Sequence, residues 1–202
     1  MQRAGEIVPG TRAAEGFGSF GEASCIGFPA ATLMGTSSIH IGRGSLIGRQ
    51  VTLSVGYGPD DDNLPARGLV IGDRCVIGAR TSLTAHSSIA LGDDVWCGQD
   101  VFVSDASHGY QDVETPIGRQ LGMHQPVSIG SGTWIGHGAI ILPGSVIGRN
   151  VVVAAGTVVR GIVDDYAIVG GSASRTLRRF EAGVGWVTPN GDVRPVVVNG
   201  RS

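Results

Sequence analysis

Residues 129–159 read IGSGTWIGHGAIILPGSVIGRNVVVAAGTVV, and every sixth position is aliphatic: Ile129, Ile135, Ile141, Ile147, Val153 and Val159. Neither a helix, with its period near 3.6, nor a strand alternating by two generates that spacing; a short strand followed by a corner, repeated, does. Three such units close one triangular coil, whose aliphatic side chains point inward and stack on their equivalents in the next coil, about 4.8 Å away. One coil cannot bury those side chains alone. The repeat therefore predicts a stack of coils, each buried aliphatic being worth about 1.5–3 kcal/mol before chain entropy is set against it.

Outward from that run, the same period picks out Phe20 and Ile26, then Ile41, Ile47 and Leu53, then Ile71, Ile77 and Leu83, then Leu91, Cys97 and Val103. Glycine follows many of them, as at Gly42, Gly72, Gly92 and Gly130, and a small or β-branched residue recurs four places on, as at Ser45, Thr81, Thr133 and Ser145. The 34 glycines of this 202-residue chain lack the every-third spacing of collagen and read as corner residues, where they admit a positive φ and close backbone approach. The fold class is all-β. A parallel β-helix domain is expected over 20–163, with an N-terminal arm over 1–19. In the remaining 164–202, the run GIVDDYAIVGGSASRTLRRF predicts a turn leading to a short basic helix from Ser174 to Phe180, and Asn190–Gly191 between alternating segments predicts a hairpin-like tail. That tail either caps the β-helix or reaches a neighbour.

Two interruptions break the repeat, over 57–68 and 109–126. The coils begin at SSIHIG, GLVIG, SSIALG and PVSIG, ending at Gly42, Gly72, Gly92 and Gly130. Each interruption thus follows the third unit of its coil, so both should leave one edge of the prism and wall a shared cleft; long loops on a regular scaffold point to function. His108 closes VFVSDASHG at the root of the longer loop, and His86, in LTAHSS, holds the corresponding face one coil earlier. The two imidazoles are expected to be neighbours, with Asp105 placed to orient the His108 ring. His40 and His124 read as surface residues. A histidine beside a cleft, with no serine or cysteine in an elbow sequence, points to general-base chemistry on a bound acceptor; the alternative is that His108 only stabilises its loop. Asp60, Asp61 and Asp62 either hydrogen-bond the hydroxyls of a sugar or solvate the first loop.

Fifteen basic against seventeen acidic residues leave a net charge of −2, so no global field favours nucleic acid, and a small-molecule partner is expected. Cys25, Cys75 and Cys97 are odd in number and lack CxxC spacing, which reads as reduced buried thiols. The first thirty residues carry no basic start followed by an apolar run, and no later stretch approaches the roughly 20 apolar residues of a bilayer span. A cytoplasmic protein without a membrane span is the expectation.

The stretch from Trp134 to Phe180, with IALGDDVWCGQDVFVSDASHG before it, resembles the hexapeptide-repeat acyltransferases of the galactoside, maltose and xenobiotic acetyltransferase type. Histidine, tryptophan and the PGSVIG run occur in that family's order, over about half of the chain. The resemblance implies a left-handed coil, a homotrimer, acetyl-CoA as acyl donor, and O-acetyl transfer to a hydroxyl of a sugar or related small molecule. It implies His108 as the general base, acting without an acyl-enzyme; Asp105 beside it and His86 toward the acceptor are expected from spacing and register. For the cofactor it implies Trp134 lining the site, the backbone N–H of His137 facing the thioester, and Ala155 and Gly156 against pantetheine. Arg160, Arg175 and Arg178 fall near the nucleotide phosphates, or else on a solvated helix face. Gly161 and Ala173 depart from the family, which often has Lys and Pro there, so the phosphate grip is expected at Arg160.

Two other readings are open. The γ-type carbonic anhydrases use the same coil, and IGHGAI around His137 resembles theirs; zinc there needs three imidazoles, however, and Leu142 stands where the next would fall, so no metal is expected. A purely structural β-helix would bind no CoA.

Overall fold

The computed structural model describes residues 5–109, 114–120, 122–172 and 175–194. Its strands form three parallel sheets that are the three faces of a prism. The first face stacks Ser19–Phe20, Ile39–Ile41, Leu69–Ile71, Ile89–Leu91, Val127–Ile129, Val146–Ile147 and Ile162–Val163. The second begins Cys25–Ile26, Leu46–Ile47, Val76–Ile77, Trp96–Cys97, Trp134–Ile135, Val152–Val153 and Ala167–Gly170. The third stacks Thr32–Met34, Thr52–Val55, Ser82–Ala85, Phe102–Ser104, Ile140–Ile141 and Val158–Val159. The chain runs first, second, third face in every complete coil, so the parallel strands that pair are one coil apart in sequence.

The ladder falls on the six-residue register. Ile41 pairs with Ile71, Ile71 with Leu91, Leu91 with Ile129 and Ile129 with Ile147. These side chains, with Ile77, Leu83, Ile135 and Ile141, form one buried core. The position four residues on is buried as well, and its hydroxyls bridge coils. The Ser45 hydroxyl donates to Gly72 O at 2.8 Å and accepts from Cys75 N at 3.0 Å, while Thr133 donates to Gly148 O at 2.9 Å and accepts from Val151 N at 3.2 Å. A small hydroxyl thus satisfies corner groups that the strand ladder leaves unpaired.

The glycines after the aliphatic positions serve close approach and not positive φ. A Cβ on Gly78 would lie 2.3 Å from Gly98 O in the next coil. The left-handed conformation falls two residues further on, at Gly44, Gln50, Arg74, Arg80, Asp94 and Asp100, so most of those corners strain a non-glycine residue.

The stack continues to Gly170, past the expected boundary at 163. The helix expected from Ser174 to Phe180 is not formed. Arg175–Glu181 is a strand, antiparallel to Ala167–Gly170, and it extends the second face; Ser174 lies outside the described residues. The last coil leaves a row of unpaired backbone groups at the end of the sheet, and Thr176 and Phe180 suit a strand that covers them. Gly185–Val187 and Val193–Arg194 follow as an antiparallel hairpin, its turn closed by Gly191 N–H donating to Thr188 O at 2.9 Å. At the other end, Arg12–Glu15 forms a short helix capped by Thr11. No helix among the described residues is long and apolar enough to cross a membrane.

Candidate functional site

Both loops leave the edge where the third face turns to the first. Tyr57, His86 and His108 follow the third-face strands of successive coils, and His124 lies just before the chain re-enters the first face at Val127. The register of the coils therefore gathers them. Their edge encloses a cavity of about 320 Å³ lined by Tyr57, His86, Ser104, Ser107, His108 and His124, among others. The Tyr57 ring packs edge-on against His86 at 4.6 Å, and His86 lies nearly parallel to His124 at 5.2 Å. The Tyr57 hydroxyl is hydrogen-bonded to His124 Nε2. His86 and His108 thus share a cavity, but the ring contacts of His86 go to Tyr57 and His124.

His124 corrects the sequence reading: it is half-buried and part of the cavity, not a surface residue. Tyr57 is likewise a wall of the site that sequence reasoning passed over. The available signal was the edge rule itself, since a residue two places before Pro126 must lie where its loop rejoins that edge. His40 is tied into the first coil instead, its Nε2 at 2.9 Å from Ala66 O and its Nδ1 at 3.1 Å from the Ser19 hydroxyl.

Asp105 does not orient the His108 ring. Its fully buried carboxylate accepts the backbone N–H groups of His86 at 2.8 Å and of Ser87 and Ser88 at 2.7 Å, and none of its described hydrogen bonds involves the His108 side chain. Its own carbonyl accepts from Gln125 N at 2.8 Å. Asp105 therefore fixes the turn of the preceding coil and the return of the second loop, and positions the site through them. Asp61 does the same for the first loop: its carboxylate accepts from Tyr57 N and Asn63 N, both at 3.0 Å, and those bonds hold its pKa below the ordinary range. Asp60 and Asp62 are exposed.

A second cavity, about 230 Å³, lies along the same edge and shares Ser107 with the first; Gln125, Pro143, Gly144, Arg160 and Gly161 complete it. Arg160 thus stands on the histidine edge. The other residues expected to meet the cofactor do not. His137, Ala155 and Gly156 occupy the corner between second and third faces. There the His137 Nδ1 is 3.7 Å from the Asp100 carboxylate, which Arg80 grips through two bonds of 2.7 Å and holds below its ordinary pKa. Trp134 lies on the second face, in register with Trp96 and 54% exposed. Arg175 and Arg178 lie on the strand that extends that face. No cysteine lines either cavity; Cys97 is core, and burial pushes its thiol up to about 12.

Comparison with known proteins places this geometry. Residues 126–161 match the family of bacterial transferase hexapeptide repeats, and residues 68–102 the hexapeptide repeat of succinyl-transferase. A Mycobacterium tuberculosis protein named as an acetyltransferase is 36% identical over 77 residues, 38% of this chain and 26% of the relative. An Escherichia coli protein named for O-acetyl transfer in lipopolysaccharide biosynthesis is 31% identical over 88 residues, 40% of this chain and 44% of the relative. The chain thus spans less than half the length of either. Among solved structures, a variant of AntD, an N-acyltransferase from Bacillus cereus in complex with dTDP and coenzyme A, superposes with a TM-score of 0.69 at 22% identity, over 83% of this chain and 87% of that one. A variant of perosamine N-acetyltransferase from Caulobacter crescentus, in complex with CoA and GDP-perosamine, gives a TM-score of 0.53 at 21% identity, over 76% of this chain and 55% of that one.

Proposed function

We propose that this chain is a hexapeptide-repeat acyltransferase and that it transfers an acetyl group from acetyl-CoA to a hydroxyl of a sugar or related small molecule. The observation that carries the reading is the position of His108, on the wall of the 320 Å³ cavity and one residue from the Ser107 shared with the second. The acceptor occupies the first cavity, where Tyr57, His86 and His124 offer polar groups on aromatic walls. Acyl-CoA runs through the second, with Arg160 toward its phosphates.

The His108 imidazole takes the proton of the acceptor hydroxyl as that oxygen attacks the thioester carbonyl, and the CoA thiolate leaves. No acyl-enzyme forms. Most of the gain comes from holding acceptor and thioester in line beside one base, which removes the entropy of bringing three groups together. The E. coli relative named for O-acetyl transfer supports a hydroxyl acceptor.

His137, Ala155 and Gly156 lie on a different edge from His108, so one chain does not bring them together. A homotrimer answers this, because the neighbour's edge between second and third faces can meet the histidine edge; the exposed apolar row Leu46, Trp96 and Trp134 on the second face supports a covered surface. Incubation of acetyl-CoA with panels of hydroxyl and amine acceptors, following thiol release, tests the function. An ester product, cleaved by hydroxylamine, is expected. An amide as sole product overturns the choice of hydroxyl, and failure to bind CoA overturns the reading. Sedimentation as a monomer removes the trimer.

A further inference from the structure

Two of the buried side-chain atoms without a hydrogen-bond partner among the described residues are ring nitrogens of one cluster: His86 Nδ1 and His124 Nδ1. The Asp105 carboxylate, itself fully buried, belongs to the same cluster. One ligating atom from each of the three residues lies within 4.8 Å of the others, and His86 Nδ1 is 3.7 Å from Asp105 Oδ1. A buried polar atom left unpaired is costly, and two of them clustered with one buried carboxylate call for something that all three residues can bind.

The chemistry of the three atoms selects what that is. The Asp105 carboxylate offers about four lone-pair directions, of which three take the N–H groups of His86, Ser87 and Ser88, so one remains. When His124 donates its Nε2–H to the Tyr57 hydroxyl oxygen, its Nδ1 is left as a bare lone pair; a second partner fixing the tautomer in this way is the usual support of a metal-bound imidazole. Three lone pairs and a negative charge suit a cation and repel an anion. Tetrahedral zinc, with bonds of about 2.0–2.1 Å, sets its ligand atoms about 3.4 Å apart, so atoms now within 4.8 Å of one another draw together to hold it. Imidazole and carboxylate without thiolate suit zinc or a similar divalent transition metal.

We propose that His86, Asp105 and His124 form a divalent-cation site of the zinc class, with Tyr57 supporting it through His124. The ion ties the coil at His86 and Asp105 to the second loop at His124 and, through Tyr57, to the first loop. It shapes the wall of the acceptor cavity and takes no part in the proton transfer assigned to His108. The site differs from a carbonic-anhydrase centre built on His137, which lies on another edge. It stands whether or not acyl transfer is the activity.

The full chain, stripped with EDTA and dialysed, is titrated with zinc chloride by calorimetry and followed by thermal melting. The expected result is one zinc per chain, a melting temperature higher by several degrees, and binding at least tenfold weaker in His86→Ala and in His124→Ala. Tyr57→Phe should weaken it by about tenfold, as loss of an outer partner does. His40→Ala, whose ring is bonded elsewhere, should bind as the wild type does. Should a histidine variant unfold, cobalt binding to the wild type decides instead: visible bands of a nitrogen- and oxygen-ligated ion are expected, and their absence counts against the site. No heat and no shift at millimolar zinc, or binding by a variant carrying both His86→Ala and His124→Ala equal to that of the wild type, overturns it.

Discussion

The two edges that bound the third face are made from one hexapeptide, yet they carry different things. At the edge with the second face, corners are tight: Arg80, Asp100, Gly138 and Gly156 each turn the chain with a positive φ and pass directly to the next strand. At the edge with the first face, the same corner opens into two loops that return to wall a cavity with three histidines. The difference teaches that the core and the site are separate inventions on this scaffold. Aliphatic ladders run behind both edges without a break, so an insertion costs the stack little, and chemistry can be placed wherever the chain leaves it.

If that separation holds, the largest effect on stability should come from the ladder. Ile141→Ala, at a fully buried position, should cost about 2–5 kcal/mol in chemical denaturation, and the equivalent change at Ile135 should match it. Asp105→Ala comes next, at about 2–3 kcal/mol, because it strips three backbone N–H groups of their acceptor; it should also raise amide exchange at residues 86–88, which an effect on His108 alone would not do. Arg160→Ala should leave the fold intact and raise the KM for acetyl-CoA about tenfold with kcat little changed. The smallest effect distinguishes the carboxylates of the two edges. Asp61 and Asp100 both have folded pKa values depressed, so each contributes stability above its unfolded pKa that is lost as pH falls through the folded one. Asp61 is held mainly by backbone N–H groups and Asp100 by Arg80, so NMR titration in high salt should raise the Asp100 value toward normal and move Asp61 less.

The ladder, the coil boundaries and the common edge of the two loops were legible because a period of six leaves one way to close a triangular coil and bury Ile129, Ile135 and Ile141 together. Arg175–Glu181 was not. Its basic residues suit a helix locally, and the strand depends on the open sheet end at Ala167–Gly170, which no local pattern announces. His124 was missed for a related reason: where a loop residue lies depends on how the chain returns, here on Gln125 N–H reaching Asp105 O. Asp105 was expected in the right place with the wrong partner. Three residues from His108 suggested a ring contact, but a corner turns the carboxylate inward to the coil below.

Under the proposed function, acyl transfer happens on the loop-bearing edge with His108 as base. Single-turnover transfer from acetyl-CoA to an acceptor found by the screen, measured for His108→Ala against wild type, tests it most directly. A rate about 10²–10⁴-fold lower is expected, with CoA affinity and melting temperature unchanged. Transfer at near the wild-type rate would contradict it.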